Sequence, residues 1–259
     1  MNMKSENVEK VNNTEPTILF EDGSVLVIDK PVGWLVHEDG KTEAPTVVEW
    51  FLNRCPEVRG VGEDGFTNDG AKLDRSGVVH RLDRETSGVL VLAKTQDVYS
   101  WLKEQFQNRQ IHKEYRAFVY GRLHDRWGTI NRPIGRSQKD SRMRSSMPGA
   151  KGMMRDAVTD FERIGVGEYE DEPFSYVKLM PKTGRTHQLR AHLRALDRPI
   201  VGDKLYAHYK INESNNLGLD RMALHAHILE WTLPNGEKQR FIAPVPHAFD
   251  LAVEHIASE

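Results

Sequence analysis

The chain has 259 residues, with 36 Lys and Arg against 38 Asp and Glu, a formal net charge of −2, 38% hydrophobic and 29% charged residues. That balance suits a globular protein with one sizeable core or two closely packed halves. It excludes an intrachain disulfide, because Cys55 is the single cysteine, and a membrane-spanning helix, because no apolar run approaches ~18 residues.

Residues 1–15 are polar and mixed in charge, without the apolar stretch of a secretory signal, and are expected to form a disordered tail. With the lone cysteine this leads to an expected cytoplasmic location. Residues 16–255 are expected to form one domain. Charge is unevenly distributed along it. Residues 1–72 carry 7 Lys/Arg against 14 Asp/Glu, residues 101–160 carry 13 against 6, and residues 178–204 carry 7 against 2. Two basic stretches can present a local positive surface to phosphates, although ordinary solvated faces give the same pattern.

In chain order, Thr17–Phe20 and Ser24–Asp29 are β-rich runs separated by Glu21-Asp22-Gly23, which predicts a hairpin. Lys30-Pro31-Val32-Gly33 breaks the pattern. Residues 46–54 read as a helix with Pro45 near its first turn, and residues 56–77 as a long loop. Residues 88–94 read as a buried strand. Asp97 is placed to cap a helix whose apolar face is Val98, Trp101, Leu102 and Phe106. Tyr115, Ala117 and Val119 alternate in the next strand, which ends at Gly121. Residues 132–155 hold seven Lys/Arg and one Asp and read as an extended, mobile basic arm. Strands follow at 157–163 and 174–180, and a helix at 186–196 with Leu189, His192, Leu193 and Leu196 on one side. Residues 208–220 read as a polar loop, and 224–231 and 239–242 as late strands. Hairpin signals outnumber strand–helix–strand signals, so the expected class is α+β with a mainly antiparallel sheet.

Three stretches carry chemistry. In His80-Arg81-Leu82-Asp83-Arg84-Glu85-Thr86-Ser87-Gly88 a carboxylate lies between two arginines, ahead of an apolar strand. Arginine neighbours favour ionised Asp, which can act as nucleophile or base. The same residues also suit a loop Asp in a surface ion pair. In the stretch from Pro181 to Arg190, a Thr/Gly turn leads into a helix, and Lys182, Arg185 and Arg190 with the helix N–H groups could hold phosphate. In Lys113-Glu114-Tyr115, the tyrosine could stack on a base or be simple core. His187 and His192 do not share a helix face, and His225 and His227 share a strand face without an acid or Cys cluster, so no metal site is expected. No phosphate-binding Gly-rich loop or nucleophile-elbow motif occurs.

The stretch His80–Gly88 resembles the signature His-Arg-Leu-Asp-x-x-Thr-Ser-Gly of RluA-type pseudouridine synthases at every specified position. Asp29 to Gly33, Lys113 to Gly121, Arg185 to His192, Gly202-Asp203-Lys204-Leu205-Tyr206 and Leu224-His225-Ala226 are similar to other blocks of that family, in order. The resemblance covers about residues 17–250. It implies a pseudouridine synthase fold, a mixed sheet split by an RNA-binding cleft and flanked by helices. It implies isomerisation of uridine in ribosomal or transfer RNA, without metal or organic cofactor. It implies that Asp83 is the catalytic aspartate, that Tyr115 lies against the target base, and that Arg185 pairs with Asp83. RNA contacts are then expected from His80, Arg81, Arg84, Lys113, Arg136, Arg142, Arg144, Lys182, His187 and Arg190. Many relatives carry a small N-terminal RNA-binding domain, but the catalytic strands here begin by Thr17, so grip is expected from the 132–155 arm and the helix near 185–194, in a monomer. Two rival readings remain: an RNA-binding protein without catalysis, and a nucleosidase using Glu85 as second acid.

Overall fold

The computed structural model describes residues 15–40, 42–66, 70, 72–207 and 215–258. Residues 1–14 of the expected tail, and 208–214 of the expected polar loop, lie outside them.

The N-terminal half begins with a hairpin of β1 (Thr17–Glu21) and β2 (Val25–Lys30), as Asp22-Gly23 predicts; the Asp22 carboxylate accepts from Ser24 N–H at 2.7 Å. Helix α1 (Val47–Arg54) starts on Thr46, whose hydroxyl accepts from Glu49 N–H. The expected loop after it contains a 3-10 turn (Pro56–Val58) and a hairpin of β3 (Gly65–Phe66) and β4 (Lys72–Leu73). Strand β5 (Ser87–Ala93) is buried along its whole length, the expected pattern for a continuous apolar strand covered on both faces. Helix α2 (Gln96–Gln107) is capped by Thr95 rather than Asp97, which falls inside the first turn.

Strand β6 (His112–Tyr120) crosses into the second half. Next come β7 (Trp127–Asn131), which has no clear alternation in sequence, then β8 (Ile134–Arg136), β9 (Arg144–Ser145) and β10 (Lys151–Arg155). The 132–155 segment is therefore a three-stranded antiparallel sheet, ordered β10-β8-β9, and not a structureless arm. It is fastened to the helix that follows and to the turn beyond it: Ser146 Oγ donates to Ala191 O at 3.0 Å and Arg144 N–H to Tyr206 Oη at 2.8 Å. The chain continues through β11 (Val158–Tyr169), β12 (Glu172–Pro181), α3 (Gln188–Ala195), β13 (Leu224–Thr232), β14 (Lys238–Ile242), α4 (His247–Glu254) and β15 (Ala257–Ser258). Helix α4 is not expected from the sequence; its short apolar face, Phe249 and Ala252, closes the second core.

The main sheet runs β1-β2-β5-β13-β6-β12-β11-β15, with β14 on β13 and β7 on β11. Its pairings are antiparallel except β5 with β13, where Ser87 and Gly88 face His225 and Ala226. Gly88 has φ +117°, and a Cβ there would stand 2.1 Å from Ala226 O, so only glycine admits this approach. Two cores flank the junction. One joins β2 and β5 to α1 and α2; the other joins β6, β11 and β12 to α3 and α4. Tyr115, on β6, packs against both. Among the described residues no helix is long and apolar enough to cross a membrane.

Candidate active site

The loop that leads into β5 is held from below. Lys30 is fully buried, and its ammonium donates to Pro31 O (2.9 Å), Trp34 O (2.9 Å) and Arg84 O (3.4 Å). Gly33 N–H also donates to Arg84 O at 2.8 Å. Burial, with the charge of Arg221, pushes the Lys30 ammonium down to about 7. Thr86 N–H closes the turn onto Asp83 O at 3.0 Å. The backbone at and just after position 83 is thus fixed before any side-chain partner is counted.

Its carboxylate meets Arg190. Arg190 Nη1 donates to Asp83 Oδ2 at 3.2 Å, while its Nε and Nη2 make a bidentate pair with Asp203 at 2.7 and 2.8 Å. The guanidinium also lies 4.9 Å from the centre of the Tyr206 ring. Asp203 Oδ1 in turn accepts from the N–H groups of Leu205 and Tyr206. Side-chain exposure grades outward, from 0% at Asp203 and 6% at Arg190 to 19% at Asp83. Burial penalises the Arg190 charge, but the hydrogen bonds and charge of Asp203, with the charge of Asp83, outweigh that penalty and raise its pKa.

This corrects one expectation. Arg185 does not pair with Asp83; its Nε donates to Asp156 O at 3.1 Å. The reason is the turn before α3. Gln188 ties it down, its Oε1 accepting from Thr183 Oγ (2.7 Å) and Arg185 N–H (3.0 Å), its Nε2 donating to Val158 O and Thr159 Oγ. His187 then takes a left-handed conformation, φ +54°, and the helix begins one residue later. Arg185 is left on the rim and Arg190 is turned inward.

Asp83 opens into a cavity of about 550 Å³ at the meeting of the two halves. Arg81, Lys113, Tyr115, Lys182, Arg185 and His187 line it with Asp83 and Arg190. Burial, then the charge of Asp83, raise the Tyr115 phenol well above its ordinary value, so it is neutral and apolar-faced near neutral pH. Burial lowers Lys113 from 10.5 to about 8. Arg81 is exposed, and its guanidinium donates to His37 Nε2 at 3.3 Å.

His80 lines the cavity too, but not as a cation. Burial, followed by the charge of Lys113, pushes its pKa down to about 3. Its Nε2 accepts from Val91 N–H at 3.1 Å and its ring stacks on Phe106 at 4.6 Å. Arg84 turns away to Glu85, at 3.0 Å, and neither lines the cavity. Arg136 and Arg144 stand on the small sheet outside it, and Arg142, in the turn between β8 and β9, closes on Asp140 at 2.6 Å. His192 is fully buried between Thr159 Oγ and Arg132 O, and both His225 (3.3 Å) and His227 (2.9 Å) bond Ala243 O. Among the described residues no three His, Cys, Asp or Glu are grouped as metal ligands. Asp203 and Tyr206, in the Gly-Asp-Lys-Leu-Tyr block, have a place beneath Asp83 that spacing alone did not give. Spacing alone also did not bring Lys103, Phe106 and Arg109 to the cavity wall, near and just beyond the C-terminal end of α2.

The model of the RNA pseudouridylate synthase family matches residues 24–195. A Synechocystis protein, named an uncharacterised RNA pseudouridine synthase, is 37% identical over 237 residues, covering 90% of this chain and 66% of that protein. The ribosomal large subunit pseudouridine synthase D of Vibrio vulnificus is 36% identical over 238 residues, covering 88% of this chain and 67% of that protein. The chain thus spans about two thirds of the length of these relatives. Among solved structures, human RNA pseudouridylate synthase domain containing 1 superposes with a TM-score of 0.67 at 27% identity, covering 93% of this chain and 86% of that one. With a mixed sheet joined at one parallel pairing, a carboxylate at the floor of the adjoining cavity, and a family match running through both halves, the chain belongs to the RNA pseudouridylate synthases, the family that isomerises uridine in RNA.

Proposed function

We propose that this chain converts uridine to pseudouridine in large-subunit ribosomal RNA, with Asp83 as the reacting carboxylate. The observation that carries the reading is the state of Asp83. It is anchored through Oδ2 to a buried arginine, partly open to solvent, and at the floor of a cavity shared with Tyr115. About 550 Å³ is within the range of sites that enclose small ligands, and accommodates an extruded nucleotide. The choice of ribosomal RNA rests on the name of the Vibrio relative.

The reaction breaks the bond from N1 of the base to C1′ of the sugar, rotates the base, and joins C5 to C1′; one hydrogen passes from C5 to N1. No atoms enter or leave, so no energy carrier is required. The base must leave its stack first, at a cost of a few kcal/mol, least in a loop. Lys113, Lys182, Arg185 and Arg81 around the opening offset that cost by holding phosphates. Arg190 holds Asp83 in place through Oδ2, the role that the resemblance implied for Arg185. Tyr115 offers its ring face to the base. The reacting groups all come from one chain, and the active unit is a monomer in the cytoplasm.

A nucleosidase needs a second carboxyl facing the first across the sugar. Glu85 is paired with Arg84 and does not line the cavity, which disfavours that reading. Asp83→Asn retains RNA binding and forms no pseudouridine on total RNA from a strain lacking the gene; normal turnover by that variant overturns the assignment, and release of free uracil by the wild type restores the nucleosidase.

A further inference from the structure

Tyr206 and His187 take no part in the steps assigned to Asp83, Arg190 and Tyr115, yet they stand directly beneath Asp83. The Tyr206 ring is buried under the Arg190 guanidinium. Its oxygen accepts from Arg144 N–H at 2.8 Å and lies 3.1 Å from His187 Nδ1, the two rings meeting edge-on at 80°. The other imidazole nitrogen, Nε2, faces Asp83 Oδ2 at 3.8 Å.

The donor count fixes the protons. A phenol has one hydrogen to give. With one lone pair already taken by Arg144 N–H, and His187 Nδ1 the acceptor that is within reach among the described residues, that hydrogen goes to Nδ1. If Nδ1 carried the hydrogen instead, the phenol O–H would have no acceptor, and a bare Nε2 lone pair would face a carboxylate. Burial lowers His187 below its ordinary value, with Asp83 opposing, so the ring is neutral near neutral pH and one nitrogen must be bare. Burial also raises the Tyr206 phenol, which keeps its hydrogen in place.

We propose that Tyr206 and His187 are a positioning pair for Asp83: Tyr206 holds His187 as the tautomer with hydrogen on Nε2, and that N–H, together with Arg190, claims Oδ2 and leaves Oδ1 as the oxygen available to the nucleotide. Among the described residues the side-chain bonds to Asp83 fall on Oδ2 alone. At 3.8 Å the histidine contact is electrostatic in the free protein; a closure of under ~1 Å, as RNA enters, makes it a hydrogen bond. His187 holds a left-handed backbone, φ +54°, which residues with a side chain populate sparsely. That strain serves to aim the ring at Asp83. The proposal rests on Asp83 being the reacting carboxylate, and it adds which of its two oxygens reacts.

The first test needs no RNA. In full-length protein labelled with ¹⁵N-histidine, long-range proton–nitrogen spectra report the tautomer of each ring, and His187 is identified by its loss in His187→Asn. The expected state is hydrogen on Nε2, changing to a mixture in Tyr206→Phe. The second test measures single-turnover pseudouridine formation on total RNA from a strain lacking the gene, beside RNA affinity by gel shift. Misplacing a reacting group by ~1 Å costs up to about 100-fold, so Tyr206→Phe and His187→Asn are expected to slow formation about tenfold or more, with affinity within about twofold. Phe keeps the ring under Arg190, and Asn tolerates the left-handed backbone, so both variants are expected to fold. Hydrogen on Nδ1 in the wild type, or a wild-type rate in both variants, overturns the proposal. Absence of pseudouridine with the wild type overturns the proposed function instead, and the spectra still decide the tautomer.

Discussion

The floor and the rim of the cavity are built from the same residue types but on different physics. On the floor, Arg190 is buried and bonded on three nitrogens to two carboxylates, so its position is determined by its partners. On the rim, Lys182 closes on Asp160 at 3.2 Å with 55% of its side chain exposed, and Arg185 holds one backbone carbonyl. In a low-dielectric floor a charge is worth much and costs much to move; at a wet rim it is worth little alone and is screened by salt. In the proposed function, the floor is therefore a fixed instrument for chemistry and the rim an adjustable grip on phosphates.

Substitutions separate the two. The largest effects belong to the floor. Asp83→Asn is expected to cut pseudouridine formation by about 10³-fold or more while leaving the melting temperature near the wild type, because Arg190 keeps its pair with Asp203. Arg190→Met loses activity and also stability. It strands Asp203, which is fully buried, at a cost of about 3–5 kcal/mol, and a thermal melt should fall on the order of 10 °C. If the two variants melt alike, Arg190 and Asp203 do not hold the floor together.

An intermediate case is Lys113, between floor and rim. Its folded pKa, about 8, lies below its ordinary 10.5, so the ammonium is present below pH 8 and is lost as pH rises through that value. RNA affinity measured across about pH 7–9 should weaken through pH 8 in the wild type, and Lys113→Arg should flatten that profile, since guanidinium stays charged. The same sign makes the folded protein gain stability relative to the unfolded chain between pH 8 and 10.5, where only the unfolded lysine holds its proton.

The rim gives the smallest effects. Lys182→Ala with Arg185→Ala should weaken RNA binding a few-fold and reduce the slope of log affinity against log salt by about 0.7–0.9 for each phosphate no longer neutralised. Arg142→Ala, already paired with Asp140 and outside the cavity, should change stability by less than about 0.5 kcal/mol and affinity less than the rim pair does. An Arg142 effect exceeding that of Lys182 and Arg185 would move the grip from the rim to the small sheet.

Much of this is readable in the amino-acid sequence alone. Period-two alternation in β6, the continuous apolar run of β5 and the Asp-Gly hairpin are local signals, and they give strands where strands stand. The block from His80 to Gly88 marks Asp83 because its meaning is carried by consecutive residues. Spacing also marks Arg185 and Arg190 together, and the resemblance singled out Arg185 as the partner of Asp83, where the structure places Arg190. Which one reaches Asp83 depends on a single left-handed residue, His187, and on the Gln188 bonds that hold the turn. Neither is visible as a pattern. The basic segment 132–155 reads as a mobile arm because its strands are short; its order comes from docking on α3 and Tyr206, through bonds between residues far apart in the chain. Sequence by itself determined the main apolar strands, the candidate carboxylate and the supply of positive charge, because each is a local property of residue type and order. Tertiary structure decided which charges are buried and which remain wet, because burial is a property of what the rest of the chain packs against a residue, and that sets both its partners and its pKa.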